Sequence, residues 1–268
     1  MKAPFNHFVV TRFNLKQNIW DKDKDGGSLS TDKWLKERYE LFEKYCYPSL
    51  QYQSIKNFKW LVYFDENTPD LFKEKNKLLQ KEFDNFTPVY VSDFSHFEKE
   101  LPKYIKENSI GDVDFVLTTR LDNDDCFHKD AIKTIQQHFE PKKKAIIDLK
   151  NGLALQVFGE YKLSLKTQTK SGPFITLIEK LNSDNELLTV YDKEHLKWIN
   201  DAIFIDIDTG YYWLQTIHRR NVLNGLSNQL TFNNKYLIGY HFSKDVKFTL
   251  RYYVFILFKR LKLFNFIK

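Results

Sequence analysis

The first 150 residues alternate short apolar runs with longer segments whose apolar residues recur at helical spacing. The apolar runs cover residues 7–11, 60–64, 89–91, 113–119 and 145–149. Each run has the length of a strand that is buried on both faces. This alternation predicts an α/β fold with a mostly parallel central sheet and flanking helices.

The segments between these runs predict the helices that cover the sheet. The residues predicted to face inward are Trp34, Leu35, Leu41, Phe42 and Tyr45, then Leu71, Phe72, Leu78 and Leu79, and finally Ile132, Ile135 and Phe139. Thr68 and Pro69 predict the start of the second helix. Ser95 and Glu98 predict a capping box for the next helix, in which Pro102 is expected to cause a kink or a late start.

The pattern changes after residue 150. From residue 152 to 169 the apolar period shortens toward two, which predicts β-hairpins beside the sheet. No linker rich in Gly, Pro or Ser interrupts the remainder. The sequence therefore predicts one domain over residues 1–245, followed by a basic, aromatic tail over residues 246–268.

Polar residues follow three of the predicted strands, at the edge where ligands of parallel sheets bind. They are Thr11 and Arg12, then Asp65, and then Arg120 with the acidic residues after it. The two arginines suit phosphate oxygens because a guanidinium donates a fork of hydrogen bonds; the alternative is an ion pair with the acidic loop. Asp65 is placed to accept a hydrogen bond from a ribose hydroxyl or a base N–H, or else to serve as a turn residue.

The loop after the fourth run contains Asp122, Asn123, Asp124 and Asp125. In an extended chain alternate residues point to the same side, so the carboxylates of Asp122 and Asp124 repel each other unless a cation lies between them. Mg²⁺ or Mn²⁺ takes one or two carboxylates and completes its coordination with water and phosphate oxygens. The loop therefore predicts a divalent-metal site. The alternative is a solvated acidic turn in which Asp125 caps the helix predicted to begin near His128.

A second acidic segment, residues 21–32, has the Asp spacing of a calcium-binding EF-hand loop. It carries Ser28 where such a loop has an apolar residue, and it closes with Asp32 instead of Glu. A charged loop in which Thr31 or Asp32 caps the following helix is therefore favoured.

The composition narrows the class of protein. Hydrophobic residues make up 42% of the 268, which excludes a disordered chain, and the two cysteines exclude a disulfide scaffold. The net charge is +6 but no nucleic-acid-binding motif accompanies it, so nucleic acid is not an expected partner. No apolar run reaches the roughly 18 residues of a membrane span, and the first ten residues do not resemble a signal peptide. A cytoplasmic protein is expected.

The basic surplus is concentrated in the tail, where no acidic residue follows Asp245. As a helix, the tail would present one apolar face made of Leu250, Val254, Leu257, Leu261 and Phe264, with cations around it. Such a helix either lies on an anionic membrane surface, which would attach the protein peripherally to the inner face of the membrane, or packs its apolar stripe on the domain.

Several segments, taken in order along the chain, resemble the putative rhamnosyltransferase family, a branch of the GT-A glycosyltransferases. The matching residues are 8–14, Trp34, Leu35, Arg38, 41–43, 48–50, Gln53, 58–62, 64–65, 68–69, 118–125, 173–174, 177–179, 189–190, His195, 213–215, His218 and Asn221. The resemblance covers about residues 5 to 225. Arg219 and the insertion-like residues 21–27 depart from the family's pattern.

The resemblance implies a Rossmann-like GT-A domain that transfers a sugar, rhamnose by the family's name, from a nucleotide diphosphate sugar to a glycan or a lipid-linked acceptor. It implies that Asp122 and Asp124 hold Mg²⁺ or Mn²⁺ on the donor diphosphate, with Asn123 at the donor. His218 would complete the metal shell or, alternatively, pack against Trp213.

An inverting transfer needs a base near the acceptor hydroxyl, and a carboxylate or a histidine can serve. Glu179, expected on a short helix after Pro173 and Phe174, and His195 both match the resemblance. For His195 the alternative is a structural hydrogen bond.

Two other functions share the predicted features. A nucleotidyl- or phosphotransferase would use similar metal carboxylates, but no Gly-rich phosphate loop follows the first strand. A glycosyltransferase-like binding module without activity is the non-enzymatic alternative, against which the intact pair of aspartates argues.

Overall fold

The computed structural model describes residues 4–15, 32–181, 186–221 and 224–260, and every structural statement below concerns these residues. The acidic segment 21–32 and the last eight residues of the tail therefore lie outside the described residues, apart from Asp32 at the start of the first helix.

Within that part of the chain, twelve strands and six α-helices are formed. The strands are β1 (Phe5–Arg12), β2 (Lys59–Asp65), β3 (Phe86–Val91), β4 (Phe115–Arg120), β5 (Cys126–Phe127), β6 (Ala145–Leu149), β7 (Gly152–Gln156), β8 (Lys162–Lys166), β9 (Thr176–Lys180), β10 (Ile203–Ile207), β11 (Trp213–Ile217) and β12 (Leu230–Thr231). The helices are α1 (Asp32–Leu41), α2 (Tyr47–Gln51), α3 (Asp70–Glu82), α4 (Phe94–Asn108), α5 (Ala131–Gln137) and α6 (Leu250–Arg260). A π-helical segment, Phe42–Cys46, joins α1 to α2, and 3-10 helices span His195–Asn200 and Asn234–Leu237.

Seven strands form the central sheet in the order β10-β6-β9-β4-β1-β2-β3. All its neighbouring pairs are parallel except the two made by β9, which runs antiparallel to β4 and β6. The predicted α/β class with a mostly parallel sheet is confirmed. The carboxyl ends of β1, β2, β4 and β6 consequently share one edge, where the polar residues collect.

A second sheet of five strands, in the order β12-β8-β7-β11-β5, lies beside the first. Its β7 and β8 form the antiparallel hairpin that the period-two pattern predicts. β11 pairs parallel with β7 and antiparallel with β5, so it brings the residues near His218 towards the segment that follows β4.

Both faces of the central sheet are covered, which is why its strands appear in the sequence as almost continuous apolar runs. One face packs Val9, Trp60 and Phe64 against residues of α1, α2, α3 and α5. The other packs Val10, Leu61 and Tyr63 against α4. Each fully buried side chain of this size contributes about 1.5–3 kcal/mol through the hydrophobic effect.

The predicted inward face of α3 is half wrong. Phe72 and Leu79 are buried, but Leu71 is 75% and Leu78 59% exposed. The buried stripe instead runs through Asn76, which is fully buried because Tyr39 donates a hydrogen bond to its Oδ1 and its Nδ2 donates one to the Tyr90 hydroxyl. A buried amide with both ends bonded replaces an apolar side chain.

The helix α4 begins earlier than the capping box predicts. The Asp93 carboxylate accepts a hydrogen bond of 2.8 Å from the backbone N–H of His96, so Asp93 is the N-cap in place of Ser95. The helix then runs from Phe94 past Pro102 to Asn108, and the expected late start is wrong.

Candidate active site

The acidic loop starts where β1 and β4 end side by side. Val10 pairs with Arg120, and the backbone N–H of Leu121 donates to the carbonyl of Val10. The chain then turns, because the N–H of Asp125 donates to the carbonyl of Asp122 at 3.2 Å. The extended conformation expected for this loop is therefore wrong, and the argument from alternating side chains does not apply to it.

The Asp124 carboxylate is buried, and two side chains are bonded to one of its oxygens. Its Oδ2 lies 2.7 Å from Nη1 of Arg38 and 2.8 Å from Nε2 of His218. Burial by itself would raise the pKa of Asp124, but the Arg38 charge and the His218 hydrogen bond outweigh it and lower the pKa to about 2. Asp124 is consequently ionised throughout the physiological range.

The hydrogen bonds of His218 assign its tautomer. Its Nδ1 accepts a bond of 3.2 Å from the backbone N–H of Arg220, so in the neutral ring the proton is on Nε2 and is donated to Asp124. The backbone N–H of His218 is bonded to the Asn221 side chain as well. The alternative of packing against Trp213 is not needed to explain its position, since these hydrogen bonds hold both ring nitrogens and the backbone of His218.

Asn123 joins three parts of the chain that are distant in sequence. Its Nδ2 donates to the carbonyls of Arg12 and Phe13, both at 2.9 Å, and its Oδ1 accepts from Nη1 of Arg38 at 3.2 Å. The side chain is 7% exposed. Asn123 therefore fixes the acidic turn to the end of β1, and its predicted contact with a donor stays a prediction.

Asp122 is paired with its neighbour Arg120. The Arg120 Nε and Nη2 lie 3.2 and 3.1 Å from Oδ1 of Asp122. Burial would lower the pKa of Arg120, but the charge of Asp122 reverses this and raises it. The alternative of an ion pair with the acidic loop thus describes Arg120 in this structure.

Tyr191 lies between the two arginines expected to bind phosphate. The guanidinium carbon of Arg12 is 4.9 Å from its ring centroid, and that of Arg120 is 5.8 Å away. The Tyr191 hydroxyl donates to the carbonyl of Val10 at 3.1 Å, and burial raises its pKa to about 12. Arg12 also lies over the ring of Phe94. No spacing in the sequence indicates that Tyr191 contacts the two arginines.

Asp125 holds the turn against β11 and does not cap a helix. Its Oδ1 accepts a bond of 2.7 Å from the backbone N–H of Thr216, whose hydroxyl donates to the carbonyl of Asp124. Burial, followed by the charges of Asp124 and Asp122, raises the pKa of Asp125 well above its usual value. The alternative of a solvated turn is also wrong, because α5 begins at Ala131 and Asp125 is 1% exposed.

The arrangement does not fit a divalent ion held by Asp122, Asp124 and His218. In the described part of the chain, no three His, Cys, Asp or Glu side chains are placed to share a metal. Arg38 is already bonded to Oδ2 of Asp124. Nε2 of the neutral His218 ring carries the proton and therefore has no lone pair for a metal.

Thr11 and Asp65 have structural partners. Thr11 is fully buried and its hydroxyl accepts a bond of 2.9 Å from the indole of Trp60, so it lies within the core and not at the edge. Asp65 accepts a bond from the backbone N–H of Asn67, and its carbonyl accepts one from Thr68, as its alternative interpretation as a turn residue expects.

Glu179 lies away from the acidic turn. It belongs to β9 and pairs with Val116 near the start of β4, whereas the turn follows the end of β4. The predicted short helix is wrong because residues 175–178 are apolar or β-branched and are buried on both faces, as in a strand. Burial raises the pKa of Glu179, whose Oε1 accepts a bond from the N–H of Lys180.

His195 is linked, through Ser171 and Gly172, to a carboxylate that no pattern in the sequence indicates. Its Nδ1 lies 2.6 Å from the carbonyl of Ser171, and the next residue, Gly172, donates its N–H to Oδ1 of Asp148 at 2.9 Å. Asp148 lies near the carboxyl end of β6, and burial raises its pKa. Because Asp148 falls within a run interpreted as a buried strand, its pattern gave no signal of a site.

The comparison with family models is decisive for the identity of the chain. The model described as putative rhamnosyl transferase matches residues 6–227. The chain belongs to this family. The match confirms the resemblance found in the sequence, and it makes the protein a member of a family of glycosyltransferases.

The solved structures to which this family member is similar share little sequence with it. TarS from S. aureus, residues 1–349 in complex with UDP-GlcNAc, has 13% identity and a TM-score of 0.47, with 83% of this chain and 62% of that chain covered. The same TarS fragment in another crystal has 14% identity and a TM-score of 0.45, covering 79% and 60%. The inositol-1-phosphate CTP transferase from T. maritima has 12% identity and a TM-score of 0.30, covering 81% and 87%. The chain thus spans about 60% of the length of the TarS fragment. None of the curated protein sequences matches it.

The segments that carry the family resemblance meet at one place in the fold. Arg38 from α1, the acidic turn after β4 and His218 after β11 are in direct contact. Tyr191, which directly follows the matching residues 189–190, contacts Arg12 and Arg120.

Proposed function

We propose that this protein transfers a sugar from a nucleoside diphosphate sugar to a hydroxyl group of an acceptor. The observation that carries the proposal is the convergence of Arg12, Arg38 and Arg120 at the carboxyl edge of a parallel sheet, in a member of a glycosyltransferase family. Guanidinium groups bind phosphate oxygens with charge-assisted hydrogen bonds, and this edge is where such sheets bind nucleotides.

In the proposed complex, Arg12 and Arg120 bind the donor diphosphate. Both guanidiniums lie against the ring of Tyr191, which limits their movement. The family name favours rhamnose as the sugar, and the nucleotide follows from the test described below.

His195 is the proposed base for an inverting transfer. The Ser171 carbonyl can only accept a hydrogen bond, so Nδ1 of His195 carries the proton and the lone pair is on Nε2. Nε2 of His195 would take the proton of the acceptor hydroxyl, while the oxygen of that hydroxyl bonds to the anomeric carbon of the donor sugar. The bond from that carbon to the diphosphate breaks, and its electron pair stays on the phosphate oxygen. Glu179 is not proposed, because it lies at the other end of the sheet from the acidic turn.

The acceptor is proposed to be a glycan or a lipid-linked saccharide at the inner face of an anionic membrane, with the protein in the cytoplasm. α6 supports this placement, because Tyr252 and Ile256 bury its inner side against the second sheet. The predicted apolar stripe is on another side: Leu250, Val254 and Leu257 are 79%, 42% and 54% exposed.

The alternative for the tail, in which its apolar stripe packs on the domain, is therefore wrong for Leu250, Val254 and Leu257. Arg251 lies beside this stripe on the helix, and Lys247 and Lys259 are exposed cations of the same segment. Two copies of this face would repel each other, whereas anionic lipids would be attracted. No described helix is long and apolar enough to cross a membrane. The division into residues 1–245 and a tail stays a prediction.

The test of the function is a panel of nucleotide sugars, read by thermal shift and by release of the nucleoside diphosphate. One nucleotide class is expected to raise the melting temperature and to be turned over with an acceptor. Release of pyrophosphate from a nucleoside triphosphate would instead support a nucleotidyltransferase. Binding of a nucleotide sugar without turnover under any condition would support the non-catalytic module.

A further inference from the structure

Arg38 occupies the position at Asp124 where a glycosyltransferase of this fold is expected to place a metal ion. We infer that the Arg38 guanidinium, in place of a divalent cation, supplies the positive charge that this side of the site presents to the donor diphosphate. Transfer then proceeds without a divalent metal. The inference rests on the proposed function.

Three neighbours hold the Arg38 guanidinium in place. Its Nη1 donates to Oδ2 of Asp124 at 2.7 Å and to Oδ1 of Asn123 at 3.2 Å, and its carbon lies 5.3 Å from the ring centroid of Trp34. The side chain is 14% exposed. These two described bonds use one nitrogen of a group that carries five N–H donors, so other donors remain for phosphate oxygens.

One oxygen of the Asp124 carboxylate is already bonded to two side chains. The Oδ2 atom that contacts Arg38 also accepts the Nε2 proton of His218. For His218 to bind a metal through Nε2, its proton would have to move to Nδ1, which would break the bond from the N–H of Arg220. A divalent ion at Asp124 would also lie beside the guanidinium and be repelled by it.

The charges of the site already favour an anion. Arg12, Arg38 and Arg120 bring three positive charges, whereas Asp122 and Asp124 bring two negative ones. The third carboxyl group of the turn, Asp125, is buried and bonded to the backbone N–H of Thr216, and burial raises its pKa well above the usual value. Each aspartate is paired with one arginine. A diphosphate would therefore meet an excess of positive charge before any metal is added.

Arg38 would act on the leaving group. When the bond between the anomeric carbon and the diphosphate breaks, the electron pair stays on the phosphate oxygen, and the acceptor proton goes to the base. A guanidinium remains protonated throughout and donates to the oxygen on which charge develops. Asp124, Asn123 and His218 would then be positioning residues for Arg38.

The first experiment measures the metal requirement of the full chain. The nucleotide sugar that the panel identifies is assayed in EDTA and, separately, with added Mg²⁺ or Mn²⁺. The rate in EDTA is expected to lie within about twofold of the rate with metal, since no catalytic metal is removed. Transfer that occurs only with a divalent metal would overturn the inference and leave the proposed function intact.

The second experiment measures binding and does not need a known sugar. Inorganic pyrophosphate is titrated by calorimetry in EDTA into the wild type, into Arg38→Gln and into Lys36→Gln. Lys36 is an exposed residue of the same helix, so its variant controls for a lost positive charge. Arg38→Gln is expected to bind at least about tenfold more weakly, because a charge-assisted bond is lost, and Lys36→Gln is expected to bind as the wild type does.

The variants also separate a structural role from the proposed one. Circular dichroism checks that Arg38→Gln is folded, and Arg38→Lys, which keeps the charge, is expected to recover part of the affinity. Equal binding by the wild type and a folded Arg38→Gln, or binding by the wild type only with Mg²⁺, would overturn the inference. If no nucleotide sugar is turned over, the proposed function fails, while the pyrophosphate titration still decides the role of Arg38.

Discussion

The Asp125 carboxylate accepts a hydrogen bond of 2.7 Å from the backbone N–H of Thr216, which lies 91 residues further along the chain. This bond holds the acidic turn against β11 and fixes the position of the neighbouring Asp124. Asp125→Ala leaves a buried N–H without its acceptor, which should lower the free energy of unfolding by about 1–3 kcal/mol. Urea denaturation measures the free energy of unfolding. Asp125→Asn, which keeps an acceptor oxygen, should lower this free energy by less than Asp125→Ala does.

The same residue should make stability depend on pH. Because the folded state raises the pKa of Asp125 above 3.8, the folded state binds the proton more tightly than the unfolded chain does. The contribution of Asp125 to the free energy of unfolding is complete below about pH 3.8 and is lost as the pH rises through the raised pKa. The unfolding free energy of the wild type minus that of Asp125→Asn should therefore increase as the pH is lowered from neutral. A difference independent of pH would contradict the assignment.

Asp124 should show the opposite dependence. Its pKa falls from 3.8 to about 2 in the folded state, so its contribution is present above about pH 4 and is lost as the pH falls towards 2. Asp124→Asn should cost about 2 kcal/mol at neutral pH, and this cost should shrink on acidification. It should also abolish transfer, because Arg38 loses its negatively charged partner. Full transfer by the folded variant would refute the role given to this residue.

His195 should control the chemical step. His195→Gln is expected to lower kcat by about 10²–10⁴-fold with little change in donor binding, as for a lost general base. Glu179→Gln is the matched control and should keep full kcat. NMR of the product should show an inverted anomeric configuration, and retention would contradict the mechanism.

The exposed stripe of α6 should bind lipid. Leu257→Glu places an acid among the exposed apolar residues and should abolish co-sedimentation with phosphatidylglycerol vesicles at low salt, because it removes both apolar and electrostatic attraction. Leu71→Glu, at a 75% exposed position on α3, serves as control and should pellet like the wild type. If the wild type itself stays in solution, the membrane proposal is wrong.

Gly152 should tolerate no side chain. A Cβ there would overlap the ring of Trp213, its partner in the first residue pair of β7 and β11. Gly152→Ala should therefore lower the unfolding free energy by about 1–3 kcal/mol or more through overpacking. Gly225→Ala, where the added atom meets nothing within 4 Å, should leave it nearly unchanged in the same urea titration.

The sequence predicts the central sheet well because its strands are buried on both faces and therefore stand out as apolar runs. It does not predict β9 and places Glu179 on a short helix, since an antiparallel strand between β4 and β6 depends on tertiary pairing. The polarity of Asn76 likewise hides a core position, because only the folded chain brings two tyrosine hydroxyls to it.

For the site, the sequence identifies most of the participants but not their partners. Arg38 matches the family pattern, yet its contact with Asn123 spans 85 residues, and no local spacing encodes it. Tyr191 is an aromatic residue without a charge or a metal-ligating atom, so nothing in the pattern separates it from the core. The metal predicted at the two aspartates rests on an extended loop and on the family resemblance, and the turn at Asp125 removes the first of these grounds.

The three bonds of Asn123 also tie ligand binding to the integrity of the whole domain. Its amide contacts the end of β1 and Arg38 on α1, and its backbone belongs to the turn after β4. A partly unfolded chain in which α1 has detached would lack Arg38 and would release the end of β1. Such a species would bind the donor poorly, so the donor would select the intact fold over locally opened states. Saturating donor should consequently slow hydrogen exchange in α1 as strongly as in the central strands.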